Sequence, residues 1–449
     1  MASTYLTNTN PTAGNRTKGT ISVWFKRNGL SSYQLLYSEH YDGNNFGALR
    51  LNSNDTLSFF SYDGGSAQAD INTNRVFRDT NAWYHVVASW DTTDGTASDR
   101  VKIYINGVRE TSFGGSPTYP SSSQNIYFGV GGTNYPIRIG SISNSAQFFD
   151  GSMSHFHRVD NQALAQTVFG STDATTGEWK INTNPSITYT GSSDFNFFIL
   201  KDGNSVTDQS GNSNNLTVGG GTLTKTEDCP SNVFATLNAL DNTSQTLSNG
   251  NTSGYGVTNK AYRTTLGFQG GKYYWEAKCV TQNTYTMIVG LINETNISNG
   301  SYASSNIGTN ANGWAYFMQS NQDNGKSWHN NTLGSTYQTI SQGDILQIAV
   351  DGDAGKIWWG VNGTWVNSGN PANGTNAVFT NVSTDQILFP SYSAYNGSGG
   401  NPLISFNFGN GYFGTTAVSS AGTNASGIGI FEYDVPTGYT ALSTKGLNL

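Results

Sequence analysis

Apolar and polar residues alternate along this chain in short runs, and each run is closed by Gly, Asn, Asp, Ser or Thr. In VKIYINGV, Val101, Ile103 and Ile105 fall on one face of an extended strand and Lys102 and Tyr104 on the other. Similar runs recur between Gly19 and Phe169: ISVWFKR, GALRLN, TLSFFSY, WYHVVASWD and IRIGS. The turn-rich segments DGNN, DTTDGTASD, GGSP and GGTN separate them. Residues 343–365, GDILQIAVDGDAGKIWWGVNGTW, show the pattern most sharply. An apolar run, Ile345 to Val350, breaks at Asp-Gly-Asp-Ala-Gly, and an aromatic run, Ile357 to Val361, ends at Asn362-Gly363. Asp-Gly and Asn-Gly pairs between β-prone runs predict hairpins, because the primed turns need positive φ at their central residues. Alternation sends Trp358 and Trp359 to opposite faces, so at least one of them belongs to a core.

Taken over the whole chain, this patterning predicts an all-β protein with two antiparallel β-sandwich (jelly-roll) domains in tandem. The first spans 1–170. A connector with one clear strand, FNFFIL at 195–200, spans 171–233. The second sandwich spans 234–416, and a Gly/Ser-rich tail runs from 417 to 449. One short helix is expected at 161–170, NQALAQTVFG, capped by Asn161 and ended by Gly170. The two blocks echo each other. Each has a tryptophan strand (Trp24, Trp275) followed later by a run ending in Asn-Gly. The separations are 106 − 24 = 82 and 362 − 275 = 87 residues. In KYYWEAKCV, Tyr273, Trp275, Ala277 and Cys279 form one face, and Glu276 and Lys278 the other. Cys279 therefore reads as a small core residue.

Composition narrows the picture. Charged residues make up 11% of 449 and aromatics 13%, against a usual charged share of about 25%. Solubility then rests on amides and hydroxyls. The net charge of −7 is spread out, and no basic cluster follows a phosphate backbone, so nucleic acid is not an expected partner. No run approaches the roughly 18 apolar residues needed to span a bilayer, so no membrane insertion is expected. The N-terminus lacks the basic-then-apolar layout of a signal peptide. With two cysteines, Cys229 and Cys279, disulfides are not expected to hold the fold together.

At this point the residues resemble known families. Seven ordered elements resemble the SPRY domain: GKYYWEA (271–277), MIVGLI (287–292), GWAYF (313–317), NGKSWHN (324–330), the stretch 343–365, ILFPSYSAY (387–395) and ISFNFGNGYF (404–413). That resemblance implies a bent sandwich that binds partners through loops at one end and is not usually catalytic. WYHVVASWD, DRVKIYINGVRE and FFDGSMSHFHRVDNQAL resemble a concanavalin A-like, laminin-G-type jelly roll. The combination, with the style of residues 208–240 and 432–448, resembles virion structural proteins of tailed bacteriophages, particularly marine ones. Fold-level analogy does not by itself say what is bound.

Candidate chemistry is sparse. Glycoside hydrolysis needs two carboxylates flanking the bond, and concanavalin-like hydrolases commonly carry Glu-x-Asp-x-x-Glu on one strand face. No such run occurs: Glu276 stands alone, and Asp351 and Asp353 belong to a turn. An EF-hand loop starting at Asp351 would need Glu at its twelfth position, where Asn362 stands. Asp42, Asp63, Asp91 and Asp99 lie in loops where laminin-G-like domains sometimes hold calcium, so calcium is a candidate in the N-terminal domain. No other cofactor is expected. His155 and His157, two apart, would share a strand face and could chelate, but no third ligand is evident for zinc. For binding, aromatic rings can stack on sugars while Asn and Asp bind hydroxyls. Trp328, His329, Tyr302 and Tyr395 are the candidate ligand-binding residues, with Trp328 foremost.

The expected function is therefore that of a non-enzymatic phage virion protein, present in many copies as a capsid decoration, tail or fibre component. It would be assembled in the host cytoplasm and then carried outside on the particle. Its expected partners are other virion proteins and host-surface polysaccharide. A purely architectural protein and a polysaccharide depolymerase are the alternatives.

Overall fold

The protein is described by a computed structural model. It covers residues 3–449 except 144–145, 192, 202–205, 242–243, 257–259, 283–285, 299, 320–321 and 395–401. The chain is nearly all β and forms two compact units. One comprises residues 1–225 with 229–231, the other 226–228 with 232–449. Each is a sandwich of sheets that are antiparallel apart from one short parallel pairing in the second unit.

The strands of the first unit are β1 (Tyr5–Asn8), β2 (Lys18–Arg27), β3 (Gln34–Asp42), β4 (Asn45–Leu51), β5 (Thr56–Asp63), β6 (Ser66–Val76), β7 (Tyr84–Asp91) and β8 (Val101–Ile105). They continue with β9 (Val108–Arg109), β10 (Ile137–Ile139), β11 (Gly151–Asp160), β12 (Gly170–Thr172), β13 (Trp179–Ile181), β14 (Phe197–Ile199) and β15 (Thr217–Gly220). One sheet runs β15-β1-β10-β3-β4-β5-β6 and the other β14-β11-β2-β7-β8-β9. Their inner faces supply one core, including Tyr37, Leu49 and Phe59 from the first sheet and Ile21, Val86 and Ile103 from the second. The Asn106-Gly107 turn takes φ of 46° and 79°, as a primed hairpin turn requires.

Two expectations change here. Residues 171–225 form part of the first unit: β14 pairs with β11, β15 pairs with β1, and Phe197 and Ile199 lie in its core. The β12–β13 hairpin brings Trp179 onto His85, whose ring is also stacked under Trp24. The chain must continue past 170 because both sheets still need edge strands and an aromatic cover. The helix expected at 161–170 is only a 3-10 turn, Gln166–Val168. Asn161 adopts φ of 58°, and Leu164 N–H donates to the Thr20 hydroxyl (2.9 Å), so tertiary bonding along β2 displaces helical bonding.

The second unit carries β16 (Gln245–Ser248), β17 (Ser253–Gly256), β18 (Tyr262–Arg263), β19 (Lys272–Thr281), β20 (Met287–Asn293), β21 (Gly313–Gln319), β22 (Lys326–His329) and β23 (Thr332–Thr336). After these come β24 (Ile345–Asp351), β25 (Lys356–Val361), β26 (Thr364–Trp365), β27 (Leu388–Ala394), β28 (Leu403–Asn407), β29 (Tyr412–Phe413), β30 (Thr416–Ala417) and β31 (Thr440–Ala441), with a five-residue helix at Glu294–Ser298. One sheet runs β16-β17-β28-β19-β24-β25-β26, with β31 beside β19, and the other β18-β27-β20-β21-β22-β23. In both units the tryptophan strand pairs with the first strand of a hairpin ending in Asn-Gly, β2 with β7–β8 and β19 with β24–β25. Trp358 and Trp359 do point to opposite faces, and both are fully buried. Trp359 lies in the main core; Trp358 packs with Phe431 and Tyr439 of the C-terminal segment. Cys279 is buried, and both cysteines are free.

Gly290 shows how tightly the second sandwich is built. It sits in the middle of β20, opposite Ala315 on one side and Ser391 on the other. A Cβ there would lie 1.9 Å from the Trp314 carbonyl oxygen. Gly290→Ala is expected to cost about 2 kcal/mol through forced sheet displacement. Chemical denaturation followed by hydrogen exchange checks this; an unchanged midpoint for the second unit refutes it.

Candidate functional site

Strand alternation on β22 separates the two leading candidates. Trp328 lies on the outer face of its sheet, half-buried, with its ring 5.4 Å from that of Phe317. It packs against a small cluster that includes Ile288, Ile292 and Ile307, together with Ile297, Tyr302 and Phe389, which are also partly exposed. The structure thus packs Trp328 and Tyr302 against the same small cluster. Tyr302 is anchored there: its hydroxyl donates to Asp241 Oδ1 (3.1 Å), which also accepts from Arg263 Nε (2.8 Å). Burial, and then Asp241, raises the Tyr302 phenol above its ordinary range.

His329 lies on the other face. Its ring stacks on Trp314 at 5.2 Å. Nδ1–H donates to the Gly313 carbonyl (2.9 Å), Nε2 accepts from Asn381 Nδ2 (3.1 Å), and Asn381 Oδ1 accepts from Trp314 Nε1 (3.3 Å). Both ring nitrogens are used within the fold, so His329 wedges the sandwich end and is not placed with Trp328. Tyr395 lies outside the described residues.

A second surface was not singled out by the sequence reading. A groove of about 500 Å³ opens on the first unit, lined by Asn52, Asn54, Thr56, Asn72, Asn74 and Arg78 among others. Register across β4, β5 and β6 aligns Arg50, Ser58 and Asn72. Their side chains tie the groove wall together. Arg50 Nε donates to Asn52 Oδ1 (3.1 Å), Asn52 Nδ2 donates to Thr56 (3.0 Å) and Ser58 (2.5 Å), and the Ser58 hydroxyl donates to Asn72 Oδ1. The Arg50 guanidinium lies between Phe60 (4.6 Å) and the exposed ring of Tyr33 (4.4 Å), a cation–π arrangement. Beneath the groove, buried Asp55 accepts from Arg27 and from Arg78, each at 3.0 Å, and from Ser31 N–H (2.7 Å). Burial alone would raise its carboxyl, but these donors outweigh that and hold it below the usual range. The available signal was the repeated Asn-x-Asn in LNSN (51–54) and INTN (71–74), which hairpin pairing brings side by side.

The histidines and acids proposed as metal ligands are engaged elsewhere. The register of β11 shifts between Ser154 and His157, where His155 has φ of 49° at a bulge, and both imidazoles pack on the Phe198 ring, His155 at 5.7 Å. His157 is buried and stacked on Phe198 at 3.9 Å, its Nδ1 bonded to the Tyr189 hydroxyl (2.7 Å). His85 accepts at Nδ1 from Trp179 (3.0 Å) and bonds Ser22 through Nε2 (2.9 Å); burial pushes it down to about 3. Asp63 faces Arg16, Asp91 Lys18 and Asp99 Arg109, while Asp42 accepts from Asn44 N–H and Asn45. Among the described residues no three His, Cys, Asp or Glu side chains stand close enough to hold a metal ion. Asp351 caps its own turn, accepting from Ala354 N–H (2.9 Å), in the β24–β25 hairpin. Among the described residues no helix is long and apolar enough to cross a membrane.

Comparison with known proteins follows the division into units. Residues 2–169 match the family model of the concanavalin A-like lectin/glucanases superfamily, and residues 272–410 match that of the SPRY domain. No curated protein matches. Among solved structures, the chain is similar to the SPRY domain of human HERC1 (19% identity, 38% of this chain and 96% of that one, TM-score 0.30). It is also similar to the TRIM65 PSpry domain (16%, 38% and 91%, 0.29) and to a heptameric SAP-like pentraxin from Limulus polyphemus (16%, 34% and 68%, 0.26). The chain therefore carries a concanavalin A-like/laminin G domain followed by a SPRY domain.

Proposed function

We propose that this protein is a lectin-like adhesion component of a phage particle, displayed in many copies and attaching to host-surface glycan or to neighbouring virion proteins. Its two domains are of types that support a ligand- or protein-binding role. The observation that carries the reading is the partly exposed Trp328, packed against the same small apolar cluster as Tyr302 on an otherwise polar, charge-poor molecule. A large ring fixed by its neighbours loses little entropy on binding and presents an apolar face to a sugar or a protein loop. Weak individual sites would gain avidity from copy number.

A glycan array prepared from host-surface polysaccharide tests this with wild type and Trp328→Ala. Wild type is expected to retain a subset of glycans, and the variant to lose binding roughly 30-fold, the usual cost of removing a hot-spot tryptophan. Retention of no glycan by wild type favours the architectural reading. Glycan cleavage by the purified protein would overturn the non-enzymatic one.

A further inference from the structure

We propose that the groove on the first unit is a saccharide site selective for acidic sugars, separate from the Trp328 surface. It shares the glycan reading above but not its location, and it stands on three observations.

The first is charge. Arg78 is the charged residue lining the groove, and no carboxylate lines it. Asp55 below is one carboxylate shared by two guanidiniums, Arg27 and Arg78, and Arg27 is also attracted by Asp150, so Arg78 is the cation that the groove presents. Arg78 spends Nε on Asp55, and its side chain is 59% exposed. Its Nη2 also reaches the Asn54 carbonyl (3.5 Å), which leaves Nη1 to meet an anion from solvent through a charge-assisted hydrogen bond.

The second is preorganisation. Asn52 and Asn72 are locked into the Arg50–Asn52–Ser58–Asn72 chain of hydrogen bonds, and Asn72 Nδ2 continues it to Asp70 (2.8 Å). Asn54 Oδ1 is held by Thr56 through its N–H (3.3 Å) and hydroxyl (2.7 Å), so the Asn54 amide NH2 points outward without a partner among the described residues. Asn74 is fixed through Nδ2 to Ser112 (3.0 Å) and the Phe113 carbonyl (2.9 Å), which leaves Oδ1 as an acceptor. Donor and acceptor amides fixed in this way match the vicinal hydroxyls of a sugar ring, and little ordering entropy remains to be lost on binding.

The third is the apolar margin. Val76 lines the groove at 42% exposure, and Tyr33, 46% exposed, stacks on Arg50, whose Nε bonds Asn52 of the groove wall. These surfaces suit the C–H faces of adjoining sugar units.

The test uses the full chain with a galacturonate tetrasaccharide, its methyl ester as the neutral counterpart, and inorganic sulfate. Binding is read by calorimetry, and hydrogen exchange locates the contact. The acid is expected to bind at least tenfold more tightly than the ester and to protect peptides covering 50–58 and 70–80. Asn54→Asp keeps the acceptor that holds Thr56 but replaces the outward NH2 by negative charge. It is expected to lose at least tenfold for the acid with an unchanged melting temperature, and Arg78→Gln is expected to lose a similar factor. Equal binding of acid and ester, or displacement of the acid by sulfate at equal concentration, overturns the proposal. Protection confined to peptides around 297–328 overturns it while leaving the Trp328 reading standing. Protection confined to the groove has the opposite meaning.

Discussion

Glu276→Ala is expected to destabilise the second unit by about 3–5 kcal/mol and to release the C-terminal segment from its sheet. Glu276 is fully buried on β19. Its two oxygens accept four hydrogen bonds: from the Tyr274 hydroxyl (2.9 Å), Asn407 Nδ2 (3.2 Å), and the backbone N–H groups of Glu432 and Tyr433 (each 2.9 Å). Alanine leaves all four donors unpaired in a site closed to water, and such losses cost about 1–3 kcal/mol for each neutral group left unsatisfied. Relaxation of the segment recovers part of that sum, which sets the expected range. Hydrogen exchange should show loss of protection across residues 417–449 before the rest of the unit. Unchanged protection there would refute the anchoring role.

The same carboxyl gives the second unit a pH dependence. Burial, working against the four donors, pushes Glu276 up to about 7 from an ordinary value of 4.5. The folded state therefore holds the proton more tightly than the unfolded chain. The stabilising contribution is complete below pH 4.5 and is lost as pH rises through 7, with an upper bound of about 3 kcal/mol at about 1.4 kcal/mol per pH unit. Stability of the second unit should fall between pH 5 and 8 in wild type and stay flatter in Glu276→Gln. Parallel profiles would exclude Glu276 as the titrating group.

Arg158→Leu should cost the first unit about 3–5 kcal/mol, by leaving Glu39 charged and without its cation inside the sandwich. Arg158 on β11 and Glu39 on β3 belong to opposite sheets, and both are buried, 3.6 Å apart. Burial pushes Glu39 up, against the pull of Arg158, the Tyr37 hydroxyl and Gly129 N–H. The guanidinium also lies over Trp90 (4.8 Å) and Phe195 (5.2 Å). Removing both charges, Glu39→Leu with Arg158→Leu, should recover most of the loss, since apolar replacements of a buried pair are often neutral. A single variant within about 1 kcal/mol of wild type would show that the pair is not needed.

These buried carboxylates mark where sequence reasoning stopped. In KYYWEAK the alternation assigns Glu276 to the polar face, and for a two-layer sandwich that face is solvent. Residues 430–441, more than 150 positions away, cover it with Phe431, Val435 and Tyr439, and so turn a surface glutamate into an anchor. Glu39 reads likewise as an ordinary polar residue of YSEHYD until β11 delivers Arg158 opposite it. His329 and Trp328 are adjacent in the chain and looked like one site. Strand period alone places them on opposite faces, and only the packing of Trp314 and Asn381 shows that His329 is fully used inside.

The sequence by itself determined the all-β class, both Asn-Gly hairpins and the opposed faces of Trp358 and Trp359, because each rests on local periodicity or turn stereochemistry; the two domain types came from the resemblance of ordered motifs to known families. Tertiary structure alone decided which polar residues are buried, where residues 171–225 and 417–449 pack, and that two Asn-x-Asn segments meet across a groove. Those outcomes depend on which distant strand covers which face. A period of two residues carries no information about that choice.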